Sequence, residues 1–281
     1  MTEPFIKWAG SKTRLFPQIL RRIPADCSRY VEPFVGGGAV FFEIAPYFEE
    51  TYLSDTNEQL IGLYQDVRDN TEKLIEILTR MQTEYLQDSF TAQDEYYRKQ
   101  QKKLETILLK PSTERSALLL FFNTYCVNQP YNPRQFTRKP ESELDFENLR
   151  ACAELLQNTD IRCRPFETTL DLVTDKTFVY CDPPHRPLPL PSSVELMRDG
   201  FDDSCQIDLA RYARRVVQRN GKILLSNSDP HNLNPDDNFF DNLYNGFTIE
   251  RVSAAGFGSA EPANRRGITE LLIHSAYDVI E

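Results

Sequence analysis

An acid, two prolines and an imidazole stand together at 182–185, as Asp182-Pro183-Pro184-His185. They directly follow the apolar run 177–181, which predicts a short buried strand. Because proline continues neither a central strand nor a helix, the backbone must leave the sheet here in a stiff, extended turn. The turn would present one carboxylate and one flat side chain at the carboxyl end of a strand, where open α/β sheets bind ligands. A surface turn without chemistry is the simpler alternative.

A run of three glycines at 36–38 follows another predicted strand, 29–31. Without Cβ atoms, such residues let the backbone approach a ligand closely. The run is neither a GxGxxG fingerprint nor a P-loop, since no Gly-Lys-Ser/Thr follows it. Asp55 ends the next predicted strand, 52–54, where an acid can accept hydrogen bonds from ribose hydroxyls. The pair indicates an adenosine-containing cofactor; a tight turn and a helix N-cap are the alternatives.

The only tryptophan of the chain, Trp8, is followed by a glycine-serine turn and Lys12. A lysine and an aromatic ring on one short turn could form the lip of a site for an anionic or aromatic ligand. The alternative is a core anchor followed by an exposed loop lysine, and the segment alone does not separate the two.

Strands and helices alternate around these residues. A strand at 29–31, a helix at about 39–47 and a strand at 52–54 predict a βαβ unit with the glycine run at its first turn. After residue 146, a helix is predicted at 204–219, and strands at 161–163, 178–181, 222–226, 248–252 and 270–274. We therefore expect one α/β domain formed by residues 1–57 and 146–281. Residues 58–145 would form a mostly helical insertion.

Composition and charge limit the function classes. The chain has 281 residues, is 40% hydrophobic and carries a net charge of −10. No apolar run approaches the roughly 18 residues of a membrane span, and the first residues do not resemble a signal peptide. The six cysteines are scattered and there are only three histidines, which argues against disulfides and against a metal site. We expect a cytoplasmic protein; the acidic charge argues against a nucleic-acid partner unless basic residues cluster locally.

Taken in order, these motifs resemble one family. The chain reads KWAGSK at 7–12, EPFVGGG at 32–38, DTN at 55–57 and DPP at 182–184. It continues with GFDD at 200–203, Gln206, LSNSD at 225–229, LYNGF at 243–247 and RGITELLI at 266–273. This order, over nearly the whole chain, is similar to the Dam-type class of adenine-specific DNA methyltransferases. The resemblance implies an α/β fold: a Rossmann-like S-adenosylmethionine-dependent methyltransferase sheet with an inserted, mostly helical DNA-recognition domain.

The resemblance also implies a reaction, which is methyl transfer from S-adenosylmethionine to the exocyclic amino group of an adenine flipped out of double-stranded DNA. Asp182 and the backbone at Pro183 would accept hydrogen bonds from that amino group, and the aromatic residue after the prolines would stack on the base. The catalytic residues would be Asp182, Pro183, Pro184 and His185. The cofactor would contact Trp8, Ala9, Gly10, Lys12, Glu32, Pro33, Phe34, Gly36, Gly37, Gly38, Asp55, Phe166 and Asp182.

The same resemblance implies how the chain would meet its partners. No metal is needed, because such an enzyme works by positioning and desolvation. No membrane partner is expected, a restriction endonuclease partner is compatible with the family, and we expect a monomer or a weak dimer. The residues implied to contact DNA are Lys12, Asn123, Asn128, Arg134, Arg138, Lys139, Arg265 and Arg266.

The chain departs from the family pattern at positions that face the base, the cofactor or the DNA. His185 stands where a tyrosine is usual, and Pro165 replaces an acid expected near the cofactor adenine. The loop at 123–140 is altered and shorter than usual. A second hypothesis therefore stays open: a degenerate methyltransferase-like protein with weak or lost catalysis, acting as a cofactor- or DNA-binding module. Methylation of RNA or of another amino group is a third.

Overall fold

The computed structural model describes residues 2–8, 10, 12, 15–86, 89–125, 143–186, 201–253 and 268–279. The chain divides into two compact units. The first comprises Met1–Ser11, Gly36–Glu43 and Asp55–Cys163, and the second comprises Lys12–Val35, Ile44–Ser54 and Arg164–Glu281. The sequence predicts that residues 1–57 and 146–281 form the α/β domain and that residues 58–145 form the insertion. This assignment stays a prediction.

The described residues form nine α-helices and seven β-strands. The helices are α1 (Phe16–Leu20), α2 (Phe41–Ile44), α3 (Glu58–Asp69), α4 (Thr71–Leu86), α5 (Phe90–Ile107), α6 (Thr113–Tyr125), α7 (Phe146–Leu156), α8 (Asp203–Gln218) and α9 (Phe239–Leu243). The strands are β1 (Arg29–Glu32), β2 (Glu50–Asp55), β3 (Thr159–Cys163), β4 (Thr177–Cys181), β5 (Lys222–Ser228), β6 (Thr248–Ser253) and β7 (Thr269–His274). Short 3₁₀ helices lie at Ala45–Tyr47, Phe166–Leu172 and Pro230–Asn232.

The second unit is built on a sheet. Its strands are neighbours in the order β2-β1-β4-β5-β7-β6. β1 is parallel to β2 and β4, β4 is parallel to β5, and β7 is antiparallel to both β5 and β6. Val31 lies opposite Val179, and Val179 lies opposite Ile223; all three are fully buried. Parallel strands covered on both faces are apolar throughout, which explains the run at 177–181. The predicted α/β, Rossmann-like class is confirmed.

Helix α8 packs on this sheet and carries a residue to the candidate site. Its N-cap is Asp202, whose carboxylate accepts hydrogen bonds from the backbone N–H groups of Ser204 and Cys205. A cap of this kind stabilises a helix by about 1 kcal/mol. The apolar face of α8 joins the core below the sheet. Gln206, in the first turn, is fully buried, so the cap and the packing together fix where this amide points.

The first unit contains the helices α3 to α7. Helix α6 is buried nearly all round, which accounts for the apolar segment at 116–122. The carboxylate of Asp66 on α3 accepts hydrogen bonds from Ser116 Oγ at 2.6 Å and Thr113 Oγ1 at 3.1 Å. These bonds tie α3 to α6 in a place where an unpaired carboxylate would be costly. In the described part of the chain, no helix combines the length and the apolar character needed to cross a membrane.

Candidate active site

The carboxylate of Asp182 lies directly after β4, and its side chain is 22% exposed. Oδ1 is 2.9 Å from Lys12 Nζ and accepts a hydrogen bond from Ser226 Oγ, also at 2.9 Å. Because the single hydroxyl proton of Ser226 goes to Asp182, the Tyr180 hydroxyl donates to Ser226 Oγ at 3.1 Å. His185 Nε2 approaches the same oxygen to 3.4 Å. The second oxygen, Oδ2, accepts no hydrogen bond from the residues that the structure describes.

The ionisation of Asp182 follows from these neighbours. Burial alone would raise the pKa of its carboxyl, but the adjacent His185 side chain and the positive charge of Lys12 outweigh burial and lower that pKa. Lys12 is only 5% exposed, and its ammonium also faces Glu270, whose Oε2 is 3.6 Å away. Asp182 is therefore an ionised acceptor at neutral pH, held by a buried cation.

The backbone that follows Asp182 is held by two buried amides. Gln206 Nε2 donates to the Pro184 carbonyl at 3.1 Å, and Asn227 Nδ2 donates to Gln206 Oε1 at 3.1 Å. Asn227 Oδ1 accepts from the backbone N–H of Arg186 at 3.2 Å. These connected hydrogen bonds thus fix the backbone of the turn on both sides of His185. Sequence reasoning matched these amides to a family pattern but missed what they hold.

Arg186 anchors the end of the same turn. Its guanidinium donates two hydrogen bonds to Asp203, at 2.7 and 3.1 Å, and one to Asp237 at 2.8 Å. The guanidinium carbon lies 4.2 Å above the centre of the Phe239 ring. Planar bidentate pairing and ring contact are the two geometries that arginine favours. Sequence reasoning did not single out Arg186.

Glu32 and Pro33, predicted to contact the cofactor, are buried at the end of β1. Glu32 is 2% exposed and accepts a hydrogen bond from the Tyr30 hydroxyl at 2.8 Å. Burial raises the pKa of Glu32 well above its usual value, and the negative charge of Asp182 raises it further, against the opposing effect of that hydrogen bond. The neutral carboxyl is therefore favoured, and it can donate a hydrogen bond as well as accept one.

Three phenylalanines of the second unit form an aromatic cluster. Phe34 lies 5.3 Å from Phe166 and 5.8 Å from Phe201, centroid to centroid. Tyr212 packs edge-on against Phe166 at 5.4 Å. Phe166 is 7% exposed, whereas Phe34 and Phe201 are half-buried. Such rings can pack against the face of a planar ligand.

In the first unit, the glycine run packs against Trp8 and Tyr64. Gly36 and Gly38 adopt left-handed backbone angles, with φ of 47° and 70°. A Cβ on Gly36 would come within 2.9 Å of the Trp8 indole, and one on Gly38 within 2.6 Å of the Tyr64 hydroxyl. That hydroxyl donates to the Gly36 carbonyl at 3.0 Å. The glycines are thus required by protein packing, whether or not a ligand approaches them.

Asp55 ends β2 and holds the same loop. Its carboxylate accepts hydrogen bonds from the backbone N–H groups of Asn57 at 2.9 Å and Gly36 at 3.3 Å. Burial raises the pKa of Asp55, although these backbone bonds act in the opposite direction. The N-cap of α3 is Asn57, whose Oδ1 accepts from Leu60 N at 3.0 Å. The helix-cap alternative for Asp55 is therefore wrong.

Asn123 has a structural role. It is 5% exposed, and its amide makes two hydrogen bonds with the backbone of Lys7, one in each direction and each 2.8 Å long. Both polar ends of the side chain are thereby engaged in fixing the segment that leads to Trp8. We therefore remove Asn123 from the proposed DNA contacts.

The predicted site residues fall into three groups. The second unit brings together Lys12, Asp182, Pro183, Pro184 and His185, and it also contains Glu32, Pro33, Phe34 and Phe166. The first unit contains Trp8, Gly10, Gly36, Gly37, Gly38, Asp55 and Asn123. Outside the described residues lie Ala9, Asn128, Arg134, Arg138, Lys139, Arg265 and Arg266. Within the described ranges, no group of three or more histidine, cysteine or acidic side chains could hold a metal ion.

Comparison with known proteins agrees with these motifs. Residues 8–255 match the profile of the D12 class N6 adenine-specific DNA methyltransferases. The type II methyltransferase M.MjaIII of Methanocaldococcus jannaschii is 35% identical, over 96% of this chain and 98% of that protein. The type II methyltransferase M1.LlaDCHI of Lactococcus lactis subsp. cremoris is 30% identical, over 96% and 94%. The DNA adenine methylase of Escherichia coli K12 is 31% identical, over 80% of each chain. The chain therefore belongs to the D12 class of N6 adenine-specific DNA methyltransferases.

Proposed function

We propose that Asp182 binds the exocyclic amino group of adenine in double-stranded DNA, and that this chain methylates it from S-adenosylmethionine. One observation carries the proposal: the partners of Asp182 converge on Oδ1, and Oδ2 accepts no hydrogen bond in the described part of the chain. An anionic oxygen whose lone pairs no described residue uses, at the carboxyl end of a central strand, suits an incoming N–H donor.

For this methyl transfer, the main contribution of the protein is to position the reacting groups. The amino nitrogen of adenine is a weak nucleophile, because its lone pair is delocalised into the ring. A hydrogen bond to Oδ2 orients that nitrogen and stabilises the positive charge that it gains as the bond to carbon forms. S-adenosylmethionine, when bound, supplies a methyl group on a cationic sulfur. Lys12 and Ser226 keep Oδ1 occupied, so the adenine meets a carboxylate that is already oriented.

Each unit contains residues whose chemistry suits part of the cofactor. In the first unit, Asp55 retains lone pairs beyond the two that backbone N–H groups use, and these can accept bonds from ribose hydroxyls. In the second unit, the half-buried rings of Phe34 and Phe201 offer a surface for an adenine ring. Pro165 brings no carboxylate to this place, so we expect the affinity to depend mainly on stacking and on the ribose contacts.

The DNA contacts are proposed from the resemblance. Arg134, Arg138, Lys139, Arg265 and Arg266 would contact phosphates, Asn128 would contact DNA, and the insertion at 58–145 would carry recognition. Binding by these residues should weaken steeply as salt increases. Lys12 is buried against Asp182, and we propose it as a residue of the active site rather than as a DNA contact. A restriction endonuclease partner, a monomeric or weakly dimeric state and a cytoplasmic location stay predictions.

Methyl incorporation into duplex DNA tests the proposal. Asp182→Ala should lower turnover by ~10²-fold to 10³-fold or more, because the lost interaction strengthens in the transition state. The affinity for S-adenosylmethionine should stay within a few-fold. Asp171→Ala, which removes a carboxylate that is 90% exposed in the same unit, is the matched control and should retain activity. Equal turnover of the parent and Asp182→Ala would overturn the assignment, and an inactive parent would favour the binding-module alternative.

A further inference from the structure

The imidazole of His185 lies beside the ammonium of Lys12. Lys12 Nζ is 2.9 Å from His185 Nε2 and 2.9 Å from Asp182 Oδ1, and those two atoms are 3.4 Å from each other. Lys12 is therefore in contact with the histidine and the carboxylate at the same time. Because Lys12 is only 5% exposed, its charge is balanced by protein groups rather than by solvent.

The direction of the contact fixes the state of the ring. An ammonium has hydrogens to donate and no lone pair to accept with, so Nε2 must be the acceptor. The imidazole is then neutral and carries its proton on Nδ1. A phenylalanine or tyrosine ring would place a carbon atom at the position of Nε2, and carbon cannot accept the hydrogen bond from Lys12. The histidine thus does something that the usual aromatic residue of the family cannot do.

We propose that His185 is a positioning residue for Lys12: by accepting its hydrogen bond, it keeps the ammonium on Oδ1 of Asp182 and leaves Oδ2 to the adenine. This inference rests on the proposed function of Asp182. It assigns His185 a polar role in addition to any stacking, since the hydrogen bond to Lys12 also fixes the orientation of the ring.

The charges around the ring imply a second arrangement at acid pH. Two charged groups face the His185 ring: Lys12 from the amino-terminal segment and Asp182 from the end of β4. Glu270, on β7, faces Lys12. A protonated imidazole could no longer accept from Lys12 and would repel it, while its Nε2–H could donate to Asp182. Glu270 Oε2 is buried and accepts no hydrogen bond within the described ranges, so it offers Lys12 an alternative partner. Acidification should therefore exchange the partners of Asp182.

Kinetics across pH separate this role from stacking. We would measure kcat and KM of methyl transfer between about pH 5.5 and 8.5 for the parent, His185→Gln and His185→Phe. Glutamine retains an acceptor near the Nε2 position but does not titrate, whereas phenylalanine retains a stacking face and has no acceptor. We expect kcat of the parent to decline at acid pH, and we expect His185→Gln to lose this decline while keeping kcat within about fivefold at high pH. His185→Phe should lose at least about tenfold in kcat with little change in KM.

The remaining histidines of the chain provide the control. The protein has three histidines, and His231→Gln and His274→Gln should each preserve the acid decline. Stacking alone predicts the opposite order, with His185→Phe active and His185→Gln impaired, and that order would overturn the proposal. An acid decline that persists in His185→Gln would overturn it as well.

A measurement without turnover tests the contact itself. Nitrogen chemical shifts of the three histidine rings, recorded at about pH 7.5, report which ring nitrogen carries the proton. We expect His185 to carry it on Nδ1, and Lys12→Met to shift the population towards the Nε2–H form. A parent ring protonated on Nε2 overturns the inference even if the enzyme is active. An Nδ1–H ring in a protein without any methyl transfer would leave the contact in place and refute the proposed function instead.

Discussion

Two acids at the carboxyl ends of strands, Asp182 after β4 and Asp55 at the end of β2, are held in different ways. Asp182 is held by side chains, among them the cation Lys12 and the hydroxyl of Ser226, and its pKa is lowered. Asp55 is held by backbone N–H groups, and burial raises its pKa. Backbone donors orient a carboxylate but bring no full positive charge, so burial dominates at Asp55 and not at Asp182.

The contrast is consistent with the two different tasks that we propose for these acids. A group that gains positive charge during the reaction, such as an amino group under methylation, is best met by a carboxylate that stays ionised. Ribose hydroxyls carry no charge, and a carboxylate oriented by the backbone is sufficient to bind them. The loop around Asp55 is also fixed by packing, because Gly36 and Gly38 lie against Trp8 and Tyr64. Side-chain bonds thus hold one acid, and backbone packing holds the other.

The packing half of the comparison is tested most strongly at Gly38. Gly38→Ala should lower the free energy of unfolding by ~2–3 kcal/mol, because a Cβ would meet buried Tyr64 and the backbone angle disfavours alanine. Gly246→Ala is the matched control: its φ is also positive, at 93°, but no atom lies within 4 Å of the added Cβ. Denaturant unfolding of both variants isolates the contact with Tyr64, and equal losses would show that packing does not fix the glycine run.

The side-chain half of the comparison is tested at Ser226. Ser226→Ala removes one of the donors that hold Oδ1, and we expect kcat to fall about tenfold with the affinity for S-adenosylmethionine unchanged. Ser228→Ala on the same strand is the control, because its hydroxyl bonds the Arg186 carbonyl and not Asp182. Single-turnover methyl transfer measures both variants. A Ser226→Ala enzyme with the turnover of the parent would mean that Lys12 alone orients the carboxylate.

Cofactor affinity should depend on Asp55 more than on its neighbours. Asp55→Ala should weaken S-adenosylmethionine binding by more than about 1 kcal/mol if the carboxylate holds the ribose hydroxyls. Asn57→Ala, which removes the cap of α3, should reduce stability by about 1 kcal/mol and leave the affinity nearly unchanged. Calorimetry with both variants separates the two effects, and equal losses of affinity would assign Asp55 a purely structural role.

The smallest expected effect is a dependence of stability on pH. Since the folded pKa of Asp55 is raised above 3.8, the unfolded state ionises first as pH increases, and ionisation then disfavours the folded state. Below pH 3.8 both states are protonated and this penalty is absent. Relative to the parent, Asp55→Asn should therefore become more stable as pH rises from about 4 to 7. Urea unfolding at several pH values measures this, and a flat difference would contradict the raised pKa.

The sequence predicted the strands and α8 well, because their apolar patterns are local. It predicted the strand at 177–181 as β4 has it. The helix predicted at 39–47 is longer than α2, which ends at Ile44 and is followed by the separate 3₁₀ turn Ala45–Tyr47. The hydrogen bonds between Asn123 and the backbone of Lys7 could not be predicted, because a buried amide that bonds a distant backbone leaves no local pattern. The sequence predicted a loop at 123–140, but its first three residues belong to α6, which ends at Tyr125; the remainder lies outside the described residues.

The partners of Asp182 could be predicted only in part. β4 and β5 are parallel, and Cys181 lies opposite Leu225, so register alone places Ser226 beside Asp182. The contact with Lys12 joins residues far apart in sequence through a loop, and no periodicity predicts it. Register places Glu270 on β7 opposite Ser228, but its contact with Lys12 is not predictable, because Lys12 lies on a loop. Residues on paired strands are thus predictable from register, whereas those on loops are not.

For the hydrogen bond from Gln206 to Pro184, the number of residues between Asp202 and Gln206 is as important as their types. Gln206 lies four residues after the cap Asp202, so one residue inserted or deleted between them would rotate its side chain by about 100° around α8. The amide would then point away from the turn, although every residue type was retained. Natural relatives and designed variants should therefore tolerate substitutions in this first turn far better than changes in its length.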